Sequence, residues 1–454
     1  VSGPDRSWLD GSWTVVTAEA ILNRVSYALF LVSIAFVSFI AGGLIILNQS
    51  FPYGYLNDAY RAGLALFEQK TQYPHPYATN LWARARTDAA GVTVYDPAKA
   101  HNGLTLYTSG HEQTAYLISM DGTVVHQWHL PFSAVWDETA AVKEPRPDPY
   151  VFIENAHVFP NGDLLAAYIG LGDTPWGYGL VKMNRDSEVI WKYLAQVHHD
   201  FDVAEDGKIY VLTHEIRTNV IEEAAHLEPP RVDDFVAVLS PDGEELKRVS
   251  VLDAFAKSDY LRLLSTVTWY TKGDYLHTNA VQFIDREMAE VLPFASEGQV
   301  LISCRDIGVI AVLDLETEKI VWALRGSWLG QHDPDVLPNG NILLFDNFGH
   351  YGPGGLSRVI EFDPQTQEIV WSYAGDETHF FESKLRSNQE RLPNGNTLIT
   401  ESDGGRILEV TPDHEIVWEF VNPVRGGEDG EFIPVVSWGK RIDPDSLAFD
   451  VPGS

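Results

Sequence analysis

Residues 330–348 read GQHDPDVLPNGNILLFDNF: a short alternating strand, a Pro-Asn-Gly turn and a second strand rich in β-branched and aromatic side chains. The same cassette recurs along the chain. Second strands of this kind are DLLAAYIG (163–170), KIYVLTHE (208–215), QVLISCRD (299–306) and NTLITESD (396–403). Closing strands near tryptophan include VVHQWHL (124–130), EVIWKYL (188–194), KIVWALR (319–325), EIVWSYA (368–374) and EIVWEFV (415–421). Asn-Gly pairs beginning at 161, 339 and 394, and Asp-Gly pairs beginning at 121, 206 and 242, supply the positive φ that tight hairpins need. These strands repeat as units of four, which predicts a radial, all-β array.

The count is six: one unit near 103–131, then units beginning close to 150, 197, 274, 330 and 384. The first lacks a leading strand of its own, and EFIPVVSWGKRI (431–442) is expected to supply it and close the ring, which would remove the exposed sheet edges. The expected fold is an all-β, six-bladed β-propeller over 101–454, preceded by a single N-terminal transmembrane helix. Trp128, Trp191, Trp322, Trp371 and Trp418 occupy equivalent places and are read as packing between blades.

Ahead of the array, VSYALFLVSIAFVSFIAGGLIIL (25–47) carries no charge and is long enough to cross a hydrocarbon core. It is read as a retained membrane helix after a tail at 1–24, with the N-terminus inside. Localisation in the cytoplasmic (inner) membrane follows, with the propeller on the periplasmic or extracellular side. Residues 48–100 are expected to form a membrane-proximal helix and a linker. With 64 acidic against 32 basic side chains in 454 residues, a net charge of -32 repels phosphate backbones, so no nucleic-acid partner is expected. The single cysteine, Cys304, rules out an intrachain disulfide and a cysteine zinc cage.

The chemistry-bearing pattern lies in the first strands. His199 in HHDFDVAEDG and His332 in GQHDPDVLPNG each stand seven residues before the Asp or Asn of their hairpin turn. His277 in YLHTNAVQF is read as occupying the matching place in a unit with a longer turn. First strands line the channel of a propeller, so this register aims three imidazoles at one volume, with Arg305 of LISCRDIG within reach and Asn279 on the same strand face as His277. Imidazoles and a guanidinium suit a tetrahedral oxyanion: the guanidinium presents a donor fork and one neutral histidine can attack. A zinc or copper site is the competing reading, opposed by the adjacent arginine; no metal and no cofactor are expected. His198 remains ambiguous, because register alone selects its neighbour.

Taken together, HHDF, YLHTN, SCRDIG and GQHD followed by LPNGNILLFDN resemble the bacterial arylsulfate sulfotransferases over about residues 100–440. The resemblance implies a six-bladed propeller with its active site in the central channel, and ping-pong transfer without a nucleotide-activated sulfate donor. It implies that His332 is transiently sulfated, and that His199, His277, Asn279 and Arg305 hold the sulfuryl oxygens, with His198 a further candidate for binding substrate. Partners would be an aryl sulfate donor and a phenolic acceptor. The chain departs from the family in having a membrane helix where well-known members carry a β-sandwich, in lacking their disulfide cysteines, in Gln389, which stands where a histidine is expected in some relatives, and in His157, which lies four rather than seven residues before its turn. A quinoprotein dehydrogenase is disfavoured by the lone cysteine. The alternative is a non-catalytic accessory or scaffold subunit docked in a larger membrane complex.

Overall fold

A computed structural model describes residues 18–57, 60, 73, 75–173, 175–267 and 273–449 of the chain. The chain divides into two compact units, residues 1–72 and 73–454.

In the first unit, helix α1 runs Ala18–Leu47, and Ile21–Leu47 is long and apolar enough to span a membrane, with none of that stretch buried. It begins seven residues before the charge-free run read from the sequence, because Ala18, Glu19 and Ala20 are good helix formers and extend it. Residues 53–57 are helical; most of the expected membrane-proximal helix lies outside the described residues, as does the tail before Ala18.

The second unit is a six-bladed propeller, each blade an antiparallel sheet of at least four strands. Blade one pairs Val436–Ile442 with Leu104–Ser109, followed by Thr114–Ile118 and Val124–His129. C-terminal residues therefore supply the innermost strand of the first blade, in the register Ile442 to Leu104 and Val436 to Ser109. Blades two to five start at Val151, Val197, Thr278 and His332, and blade six at Asn388. The expected linker is partly sheet: Gly91–Tyr95 adds a fifth, outer strand to blade six along Trp418–Val421, and Trp82–Arg84 pairs with Phe432–Pro434. The short spacing of β-branched residues in GVTVY suits an edge strand.

Burial follows radius. The second strand Leu164–Gly170 is buried at every residue, whereas the fourth strands of blades one and two are largely exposed or half-buried. In the six turns whose Asn-Gly or Asp-Gly pair begins at 121, 161, 206, 242, 339 or 394, the glycine has φ between +81° and +88°. Tryptophan ties blade to blade: Trp128 Nε1 donates to Gly162 O in the next blade at 3.0 Å, Trp191 to Pro241 O, Trp371 to Pro412 O, and Trp418 across the closing seam to Met120 O at 2.9 Å. Trp128 and Trp418 are fully buried, each a gross contribution of roughly 4–6 kcal/mol by area.

Nearer the axis, side-chain latches fix the inner strands of blades three, four, five, six and one to one another in turn. Asp200 and Asp202 accept from Val281 N and Phe283 N, each at 2.8 Å, Gln282 accepts from Val336 N, Asp333 from Gln389 N and Glu390 from Arg441 N. The channel walls are thus bonded around the axis, which is what holds side chains from three blades in fixed relation.

Candidate active site

Strand pairing sets the register of the site. Val203, Phe283 and Val336 pair with Ile209, Val300 and Ile342 at the first hairpins of blades three, four and five. Four residues back from each stand His199, Asn279 and His332. The position equivalent to His199 and His332 is therefore Asn279, and His277 lies two residues earlier, which corrects the register inferred from turn lengths. Bulges lie between Val197 and Phe201, Thr278 and Ala280, and His332 and Asp335. They re-aim the side chains, and His199 and His277 adopt left-handed backbone at φ +53° and +49°. Such non-glycine conformations cost about 1–2 kcal/mol each and persist only where surrounding structure enforces them.

His277 does reach the cluster. Its ring centroid is 4.9 Å from that of His199, edge to face. Arg305 Nη1 donates to His277 Nε2 at 3.1 Å, so the imidazole proton is on Nδ1, where it is bonded to the Asp274 carboxylate. Burial alone would raise Asp274, but the hydrogen bond from His277 and the positive charge of Arg305 outweigh it and hold the carboxyl below its ordinary value. Arg305 Nε donates to Asp306 at 3.0 Å, leaving Nη2 uncommitted among the described residues.

His332 is the best-defined base. Its Nδ1 lies 2.8 Å from Asn347 Oδ1 and 3.0 Å from Gly330 O, two acceptors, so Nδ1 carries the proton and Nε2 the lone pair. Asn347 is held in this sense because its Nδ2 donates to Ser383 O and Arg386 O. Burial, then the charge of Arg305, lowers His332 to about 3, so it is unprotonated near neutrality. Asn279 Nδ2 donates to Gln331 O at 2.8 Å and its Oδ1 is buried without a partner.

His198 is fully buried behind His199: the two Nδ1 atoms are 2.8 Å apart, and His198 Nε2 is 3.5 Å from Asp234 Oδ1. It braces His199 and does not line the channel, which corrects its place among the substrate-binding candidates. His198, His214 and Asp234 are spaced as metal ligands would be. However, His214 Nε2 accepts from Gly177 N at 2.9 Å, which leaves its Nδ1 protonated and unable to donate a lone pair to an ion. The donor set does not fit a metal.

Reading from the residues missed His214, Asn347, Asp234, Asp274 and Trp176. A signal for the first two existed: the seventh letters of KIYVLTHE, QVLISCRD and NILLFDNF are His214, Arg305 and Asn347, the same offset from the start of the second strand in three successive blades. Trp176 lies on the connection after Leu164–Gly170, stacked on His277 at 5.2 Å and edge-on to His214 at 4.8 Å. Further along the inner strands, Asp200, Asp202, Asp333, Asp335 and Lys440 line a cavity of about 120 Å³.

Three histidines and an arginine thus stand together on the inner strands, one histidine presenting a lone pair, a set of groups whose chemistry suits an anionic ligand. The family model for arylsulfotransferase (ASST) matches residues 155–423, more than half of the chain, and the chain belongs to that family. No curated protein matches. Among solved structures it is similar to a protein of unknown function from Bacteroides caccae (12% identity, 74% of this chain and 99% of that chain, TM-score 0.47). It is also similar to a streptogramin B lyase (12%, 79% and 95%, 0.39) and to virginiamycin B lyase from Staphylococcus aureus (11%, 76% and 88%, 0.38). Likenesses this remote carry no argument about chemistry.

Proposed function

We propose that the protein is a membrane-anchored arylsulfate sulfotransferase that moves a sulfuryl group from an aryl sulfate to a phenol through a sulfohistidine on His332. The observation that carries this reading is the tautomer of His332, whose Nδ1–H is held by Asn347 and Gly330 while Nε2 is left free beside a guanidinium. In the first half-reaction Nε2 attacks sulfur, an N–S bond forms, and the S–O bond to the aryl group breaks, releasing the phenol. In the second, the oxygen of an acceptor phenol attacks the same sulfur and His332 is regenerated. Arg305 supplies a fixed positive charge for the equatorial oxygens of the transition state, and Asp274 and His277 keep its fork oriented. Trp176 offers an aromatic surface at the rim for the aryl ring. Helix α1 would hold the propeller at the cytoplasmic membrane, on its periplasmic or extracellular side.

Incubation with p-nitrophenyl sulfate tests this directly: a burst of p-nitrophenolate and one added sulfuryl group are expected, both lost in His332→Ala. If the unaltered protein neither turns over nor gains mass, the site is inherited and the accessory-subunit reading replaces this one.

A further inference from the structure

The buried group behind His199 holds three polar atoms with no hydrogen-bond partner: His198 Nε2, His214 Nδ1 and Asp234 Oδ1. All three residues are at most 2% exposed, and orphaned atoms at such depth each cost about 1–3 kcal/mol unless they serve one another. They face one another. His198 Nε2 and Asp234 Oδ1 are 3.5 Å apart, and His214 stands directly across the strand pair from Asp234. Asp234 Oδ2 is fixed by Thr278 N at 2.7 Å. On the other side, the contact of 2.8 Å between His198 Nδ1 and His199 Nδ1 demands one proton between two nitrogens. His199 Nε2 makes no hydrogen bond among the described residues and is the nitrogen left for the channel.

We infer that Asp234 and His198 form a proton relay that lets His199 act alternately as acid and as base while every imidazole in it stays neutral. This rests on the sulfuryl-transfer reading above and assigns its protons. In the acid state Asp234 Oδ1–H donates to His198 Nε2, His198 Nδ1–H donates to His199 Nδ1, and His199 Nε2–H faces the channel. As the S–O bond of the donor breaks, the Nε2 proton goes to the departing aryl oxygen. The His198 Nδ1 proton moves to His199 Nδ1, and the Asp234 proton moves to His198 Nε2. One proton has left, and Asp234 is now a carboxylate accepting from His198, from Thr278 N and from His214 Nδ1–H. When the acceptor phenol attacks, its proton enters at His199 Nε2, the two transfers reverse, and Asp234 is protonated again.

The surroundings favour this arrangement over an imidazolium. Asp274 and Asp233 face Asp234, Arg248 faces His214, and His277, His332 and Arg305 face His199. Burial above all, then the Asp274 charge, raises Asp234 well above the carboxylate range, while burial lowers His198 to about 3 and His199 well below its ordinary value. A proton is thus kept on the carboxyl and off the rings, away from the guanidinium of Arg305.

Asp234 and His198 act through His199 and are positioning residues, so the test separates the half-reactions. Asp234→Asn removes the proton store with little change of shape. The p-nitrophenolate leaving group is a weak base that departs without help from the His199 Nε2 proton, which passes to water before the acceptor reacts, whereas phenol as acceptor must give its own proton to His199 Nε2. The ratio of the acceptor rate to the donor rate is therefore expected to fall by about 10²–10³-fold in the variant, and pentafluorophenol, already ionised, should restore most of it. An unchanged ratio, or equal loss with both acceptors, would overturn the relay while leaving sulfuryl transfer intact. Absence of His332 sulfation in the unaltered protein would instead remove the function on which the relay depends. If Asp234→Asn does not fold, the unaltered protein decides: a bowed dependence of the acceptor rate on D₂O fraction supports two or more protons in flight, and a linear one contradicts them.

Discussion

Replacing Asn347 by leucine removes the acceptor that orients His332 while keeping the branching of the side chain. In the resting site Nδ1–H is shared between Asn347 Oδ1 at 2.8 Å and Gly330 O at 3.0 Å. As Nε2 bonds to sulfur, the ring takes on imidazolium character and the Nδ1 bond becomes charge-assisted, so its loss is felt more in the transition state than in the ground state. Hydrogen bonds to charged groups contribute about 1.5–3 kcal/mol, which converts to about a 10–150-fold slower sulfation of His332. Rapid mixing with p-nitrophenyl sulfate, followed by the p-nitrophenolate absorbance, reads that step alone, and a melting curve reports whether the fold survives. A burst within about twofold of the unaltered rate in a folded variant would refute the assignment of Asn347, since the lost bond should cost at least 1 kcal/mol or so.

Other consequences follow from the scaffold. Gly243 has φ +82°, and a Cβ there would lie 2.6 Å from the Trp191 ring; Gly243→Ala should cost at least about 1–2 kcal/mol from backbone alone, seen as a lower Tm, and an unchanged Tm would mean that the turn and the Trp191 staple relax freely. Trp418→Phe leaves Met120 O unpaired at the closing seam and should cost about 1–3 kcal/mol in denaturant midpoint, whereas a neutral result would show that the seam is held by strand pairing alone. Burial, opposed by Lys440, pushes Asp335 up to about 8. A carboxyl raised in the folded state gives stability that is full below its unfolded value and is lost as pH rises through 8. Asp335→Asn should therefore flatten the fall in Tm between pH 5 and pH 9, and an equally steep fall would contradict the burial argument.

The propeller was legible because its signals are local and repeated: a positive-φ turn, a β-branched second strand and a closing tryptophan each recur at fixed offsets. Closure by 436–442 was legible as well, since the first unit visibly lacked a strand. The outer strand at 91–95 was not, because a lone edge strand has no partner in its own neighbourhood and takes its identity from Trp418–Val421, over 300 residues away. In the site, His332 and His199 could be read from turn spacing, whereas His277 could not, because a bulge displaced it by two positions and left Asn279 in register. Asp234 gave no signal at all. It sits on the third strand RVDDFVAVL next to Asp233, which pairs with Arg231, and its meaning comes only from His214 across the strand pair and His198 one strand further on. Asp274 and Trp176 lie on connections, where no period constrains a residue and only the folded chain shows what they touch.

Mass spectrometry of the intact protein and its peptides after exposure to an aryl sulfate is the most direct test of the central claim. One sulfuryl group is expected, on Nε2 of His332, removed by an added phenol. An unmodified protein, or a label on His199 or His277 with His332 free, would contradict it.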